Sequence, residues 1–279
     1  MSLVKWNLGA FALHTGLAIW SMTLPNKEVQ LYKFAFDTTA TPTSDIDYPQ
    51  TLNTDRKVNI KPFVTSFFAI TAFAHLLYAS DFGRPSNGPY TRAIMGRGWN
   101  PFRWFEYSVT ASLMIYIISI VAGAKEVSTA LVATLITPGL MFQGFTIERE
   151  LLQNDLARWS TGKLSTKPKE DTVVVMANLA PAWILFALKW FIIVNAWIIL
   201  RQELEADGKT LDSRVTALVF TQLVGFTLFG VVQTLQVIGW TQKRGSSLQA
   251  PYMQFEKAYI VLSFVAKCAL GFSVARLLN

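Results

Sequence analysis

A lysine and a glutamate stand where charges are costly. Lys267 lies inside the apolar run 258–275, and Glu106 is the only carboxylate of another apolar run, 102–123. With a rise of ~1.5 Å per residue, Lys267 would sit about 14 Å into a hydrocarbon layer roughly 30 Å thick. A charge at that depth costs at least ~2.5–3.5 kcal/mol, so it is a functional hypothesis by default. Ser263 precedes Lys267 by one helical turn on the same face, and Tyr259 lies a further turn along. His14 and His75, the two histidines of the chain, also fall in apolar runs, with Thr71 one turn from His75. These residue types support imine chemistry. A desolvated amine condenses with an aldehyde, and the protonated imine needs a nearby anion in a low dielectric. A hydroxyl can hydrogen-bond to the imine or to the anion. A histidine, titrating near neutral pH, can accept a proton. The single cysteine, Cys268, excludes an internal disulfide framework and a multi-cysteine metal site, and so few histidines argue against a histidine-rich one.

Positioning such groups requires helices that cross a membrane. The 279 residues are 52% hydrophobic and 15% charged, with mean hydropathy +0.33. Soluble domains carry roughly 25% charged residues. The deficit runs along the whole chain and indicates a multi-pass membrane protein. Seven stretches have transmembrane length: 6–24, 62–79, 102–123, 127–147, 173–200, 215–240 and 258–278. None alternates with period two, so they read as helices and not barrel strands. Only helices satisfy their own backbones in lipid. The expected architecture is an all-α, seven-transmembrane-helix bundle, with residues 1–279 forming one membrane domain. No signal-peptide pattern surrounds Lys5, so the first stretch is expected to be retained as a helix. No internal repeat supports an inverted-repeat transporter.

The connections carry the topology. The one at about 25–61 is long, mixes both charge signs and has room for a short hairpin or a lid over one face. The 81–101 connection holds Arg84, Arg92 and Arg97, and the 148–171 connection holds Arg149, Arg158, Lys163, Lys167 and Lys169. Lys125-Glu126 forms a tight turn, and 203–212 is short and acidic. The second and fourth connections, together with Lys5 and Lys243-Arg244, fall on the N-terminal side. The positive-inside rule therefore puts the N-terminus in the cytoplasm, with the C-terminus and the long first loop outside. The net charge of +7 reads as this topology signal, not as nucleic-acid binding.

In that orientation Glu106 sits about 8 Å deep on the cytoplasmic side. His14, His75, Thr71 and Ser263 share that half with it and with Lys267, whereas the half beyond Lys267 is nearly featureless. A midplane lysine on the last of seven helices, with a carboxylate on the third, suggests a retinal Schiff base. Plainer readings stand beside this one. Lys267 and Glu106 could pair only to fix helix packing. Glu106 could be a surface acid paired with Arg103, one turn earlier. His14 and His75 could be packing histidines. Lys189, in Leu188-Lys-Trp-Phe, is a rival lysine that either snorkels to the outer headgroups or lines a polar interface. Cys268 points away from the face of Lys267 and reads as packing.

Two motifs add a resemblance. Phe102-Arg-Trp-Phe-Glu-Tyr-Ser108 in the third helix and Ser263-Phe-Val-Ala-Lys267 in the seventh make the chain similar to the heliorhodopsins over all seven spans. The resemblance implies a rhodopsin-like fold with a cytoplasmic N-terminus and a long first extracellular loop. It implies all-trans retinal on Lys267, Glu106 as single counterion, and Ser263 as support for the imine. Tyr107 of the third-helix motif joins the binding set. Met114, Met141, Trp183, Phe226 and Gln233 fall where family members line the polyene and ring. His14 and His75 match the family's proton-accepting histidines, and Thr71 keeps a hydroxyl where the family has a serine. The family also tends to dimerise, and Gly139 and Gly144 would permit close packing. Ile117, Ile118 and Ser119 stand where a pump commonly places a second carboxylate, and Ser263 stands where pumps often carry an aspartate. The expectation is therefore a slow light-signalling protein with an unknown partner, neither a pump nor an enzyme. The alternatives are a light-gated proton or ion conductor, or a retinal-free transporter that uses the Lys–Glu pair.

Overall fold

The computed structural model describes residues 3–35, 50–82, 100–160, 168–242 and 249–278. Among them are seven helices: α1 (Leu3–Ser21), α2 (Lys61–Phe82), α3 (Pro101–Val121), α4 (Val127–Ser160), α5 (Pro168–Ala206), α6 (Ser213–Gln242) and α7 (Gln249–Leu278). Each helix packs on the next in chain order, and α7 closes the ring against α1. Six, α2 to α7, are long and apolar enough to cross a membrane. The remaining member, α1, carries Lys5, Asn7 and His14 within its 19 residues. The most enclosed span is α3, with 61% of its window buried against 22% for α5. A side chain on α3 can therefore meet partners from most of the bundle.

Local signals set the helix ends. Asn100 caps α3 by accepting the Arg103 amide, and Pro101 occupies the first turn, where its missing N–H costs nothing. At the other end Gly123 adopts φ 101°, and a Cβ there would lie 2.6 Å from Leu200 Cβ, so the turn and the close approach of α5 both require glycine. Glu126 caps α4 by accepting the Ser128 and Thr129 amides at 2.9 and 2.6 Å. Burial pushes its carboxyl up, but these hydrogen bonds outweigh that and hold it below the usual carboxylate range.

The first connection does contain a hairpin. Strands β1 (Glu28–Ala35) and β2 (Gln50–Asn59) pair antiparallel, from Glu28 opposite Asn59 to Ala35 opposite Gln50, with a register shift between Gln30 and Tyr32. Residues 36–49 lie outside the described residues, as do Arg84, Arg92, Arg97, Lys163, Lys167, Lys243 and Arg244.

Three helices, α4, α5 and α7, run beyond their apolar stretches. The 148–171 segment is not one long loop, because α4 continues to Ser160 and α5 begins at Pro168. The last helix begins at Gln249, well before the apolar run at 258. Hydropathy marks the thickness of lipid, and a helix that leaves lipid can continue as long as its backbone bonds do.

The bundle has two unlike halves. Where α1, α2, α3 and α7 run beyond His14, before Thr71, and beyond Met114 and Lys267, the interior is Ala18, Val64, Phe67, Phe68, Ile115, Ile118, Leu270 and Val274, all buried. The other half buries Asn7, His75, Arg103, Glu106, Glu148, Gln236, Glu256 and Ser263.

Candidate functional site

Lys267 is 2% exposed and Glu106 5%. Lys267 Nζ donates to Glu106 Oε1 at 3.0 Å and to Ser263 Oγ at 2.8 Å. The second contact follows from the one-turn spacing on α7. The first brings α7 onto α3. Glu106 Oε1 also accepts from Thr71 Oγ1 on α2 at 2.8 Å and from Thr110 Oγ1 at 3.3 Å. Thr71, expected beside His75, thus serves the carboxylate. Thr110 escaped the sequence reading, although it stands one turn after Glu106 on the same face. Lys267 Nζ also stands 5.3 Å from the Tyr107 ring centre, and Tyr107 Oη donates to the Tyr259 carbonyl at 3.2 Å.

His14 and His75 stack with ring centres 5.6 Å apart. Their hydrogen bonds fix their tautomers. His14 Nδ1 lies 2.8 Å from the Ala10 carbonyl, which can only accept, so Nδ1 carries a proton. His75 Nδ1 lies 2.7 Å from Asn7 Oδ1, while Asn7 Nδ2 donates to the Leu3 carbonyl. Asn7 therefore presents its oxygen, and His75 Nδ1 is the donor. Each ring is left with Nε2 as its basic nitrogen, and neither Nε2 has a hydrogen-bond partner among the described residues. Asn7 was also missed; its signal was a spacing of two turns from His14 on α1.

A cavity opens from Lys267 between α3 and α6 toward α4 and α5. About 890 Å³ of non-atom space lies within its outline, a figure that includes the part open to the surface. Its walls include Lys267, Ser263, Tyr107, Met114, Met141, Trp183, Phe226 and Gln233, together with Trp104, Phe186, Phe229 and Tyr259. Glu106 and Thr71 lie behind that wall, and the two histidines lie on the α1 and α2 side. Two glycines make the cradle. A Cβ at Gly144 would lie 2.5 Å from the Trp104 ring, and one at Gly230 would lie 2.7 Å from the Trp183 ring. Gly144, which the sequence offered only as permitting close packing, makes room for Trp104 inside the bundle. An apolar, aromatic-walled cavity with a single buried amine at one side fits the retinal expected from the sequence.

Two further expectations change. Arg103 does not pair with Glu106. It donates through Nη2 to Glu148 at 2.9 and 3.2 Å and through Nη1 to Glu256, and its guanidinium lies 4.0 Å from the Tyr259 ring centre. Trp104 Nε1 also donates to Glu148, as does Gln236 Nε2 at 2.9 Å, and Asn100 Nδ2 donates to Glu256 at 3.2 Å. A bidentate contact outweighs an i,i+3 surface pair, which is worth only ~0.2–0.5 kcal/mol. Lys189 does not snorkel, being fully buried in α5. Cys268 is half-buried and unpaired among the described residues.

The chain matches the heliorhodopsin family model over residues 3–276. No curated protein matches it. Three similar solved structures are the light-driven proton pump rhodopsin of Coccomyxa subellipsoidea, a light-driven proton pump from Leptosphaeria maculans, and a thermophilic rhodopsin. The first has TM-score 0.59 at 13% identity, covering 98% of this chain and 95% of that one. The second has TM-score 0.58 at 12% identity, covering 98% and 93%. The third has TM-score 0.52 at 14% identity, covering 98% and 92%. At such identities the likeness shows the fold alone.

Proposed function

This chain belongs to the heliorhodopsin family, and we propose that Lys267 carries its retinal, with Glu106 as the single counterion. Family and fold make it a retinal-binding, light-responsive membrane protein of several spans. The observation that supports the site assignment best is the 3.0 Å contact between Lys267 Nζ and Glu106 Oε1 beside the cavity. All-trans retinal, bound through that amine, supplies a protonated imine and a light-driven isomerisation to 13-cis.

The remainder falls to the chain's own residues. Glu106 holds negative charge within hydrogen-bonding distance of Nζ, and Thr71 and Thr110 orient its oxygen. Ser263 offers the same nitrogen a second acceptor. Trp104, Trp183, Phe226 and Phe229 give the cavity an apolar wall, which lowers the local dielectric and strengthens the electrostatic contact. His75, one helical turn along α2 from Thr71, and His14, stacked on it from α1, accept a proton that leaves the Lys267–Glu106 site.

Directional transport is disfavoured by the other half of the bundle. Ile117 and Ile118 are buried, and the Ser119 hydroxyl is taken up by the Ile115 carbonyl at 2.8 Å. Among the described residues, no carboxylate is buried on that side to relay a proton. The function is a slow photocycle for signalling. The same reading puts the N-terminus in the cytoplasm, with the C-terminus and the hairpin-bearing 25–61 loop outside. It makes residues 1–279 one membrane domain, working as a homodimer with a separate signalling partner.

One experiment tests both parts. Purified protein given all-trans retinal should become coloured, and Lys267→Ala should stay colourless. A coloured Lys267→Ala would refute the attachment site. Under voltage clamp, cells carrying the coloured protein should give no steady photocurrent, and a sustained current would replace the sensor with a light-gated conductor.

A further inference from the structure

Lys189 has no part in the site described above. It is fully buried on α5, and its Nζ makes no hydrogen bond among the described residues. Nζ stands 4.9 Å from the centre of the Phe226 ring and 5.4 Å from that of Phe186. Both rings are walls of the cavity. Among the described residues no carboxylate is paired with it. An unpaired buried ammonium is expensive, and the two aromatic faces offset only part of that cost. An apolar side chain of the same length would pack there more cheaply.

Its position suggests what the charge does. Lys267 enters the cavity from α7, which packs against α6 and α1. Lys189 lies behind the wall on α5, which packs against α4 and α6. The cavity therefore runs between two lysines, one at its α7 end beside Glu106 and one behind its α5 end.

We infer that Lys189 sets the colour of the protein: a positive charge behind Phe186 and Phe226, at the end of the cavity opposite Glu106, which moves absorption to shorter wavelength. This rests on the retinal reading of the cavity. In a protonated polyene imine, excitation moves positive charge from the nitrogen toward the far end of the chain. Glu106, at the nitrogen end, favours the ground state. Lys189, at the other end, disfavours the displaced charge. Both widen the gap, and Lys189 acts through its field, across two rings and a low dielectric.

Two substitutions separate charge from shape. Lys189→Met keeps the length and removes the charge, whereas Lys189→Arg keeps the charge. With all-trans retinal, Lys189→Met should absorb to the red of wild type by on the order of 10 nm, from Coulomb's law with an effective dielectric near ~20. Lys189→Arg should stay at the wild-type wavelength. An unshifted or blue-shifted Lys189→Met overturns the inference, and Lys189→Gln serves as a second neutral variant if Met does not fold. A readout without retinal is also available. Unloaded Lys189→Met should melt above unloaded wild type, because a buried unpaired charge has been removed. A lower melting temperature would mean that the amine holds a structural contact and would equally overturn it. A wild type that never colours refutes the retinal reading itself, whereas a coloured wild type with an unshifted neutral variant refutes only the role of Lys189.

Discussion

Two charged clusters are buried in this bundle, and they are built differently. At Lys267 one cation meets one anion, and three hydroxyls, those of Thr71, Thr110 and Ser263, complete the group. At Arg103 one guanidinium meets two carboxylates, Glu148 and Glu256, and the remaining positions are taken by Trp104, Gln236 and Asn100. The first cluster borders the cavity, and among the described residues two acceptors meet the three ammonium protons of Lys267. The second is enclosed and ties α3, α4, α6 and α7 together. A buried ion pair that borders a cavity can do chemistry; one enclosed between helices, with a single guanidinium held by two carboxylates, acts as a clamp. The two clusters still meet, because Trp104 and Tyr259 touch the Arg103 group and also wall the cavity.

The contrast can be broken by substitution, and Arg103→Met should have the larger effect on stability. It leaves two buried carboxylates without their cation, and breaking a buried pair in this way costs about 3–5 kcal/mol. Thermal unfolding of the purified protein should show the loss, while any colour that remains should lie near the wild-type wavelength. A fully stable Arg103→Met would mean that the cluster is no clamp. Thr71→Val should be milder, since it removes one hydrogen bond to a charged group, worth ~1.5–3 kcal/mol. Its absorption maximum should move less than that of Glu106→Gln. An equal or larger move would show that the hydroxyl, not the carboxylate, dominates the site.

The clusters also differ in how far the sequence reveals them. Lys267, Glu106 and Ser263 are conspicuous because each interrupts an apolar run, and the cost of charge in lipid singles them out. The seven helices are legible for the same reason. Glu148 and Glu256 are not, because one stands just after an apolar run and the other just before one, and both look like loop residues. Only the structure shows α4 and α7 continuing through them. Arg103 misleads in another way. Its spacing from Glu106 suits a helical pair, but the choice between a partner on its own helix and partners on two others is a tertiary matter. Gly144 looks like a helix-packing residue until Trp104 is placed against it. Lys189 reads as a snorkelling lysine because apolar context alone does not reveal whether a face of α5 meets lipid or the bundle interior.

The central claim is that the Lys267–Glu106 cluster holds the chromophore and the Arg103 cluster does not. The absorption spectra of Glu106→Gln and Glu148→Gln, each regenerated with all-trans retinal and recorded beside wild type, test it most directly. Removing the charge at Glu106 should move the maximum by tens of nanometres to the red, or bleach the imine by lowering its hold on the proton. Removing it at Glu148 should leave the maximum almost where it was. Comparable shifts in both variants, or a larger one in Glu148→Gln, would contradict the assignment.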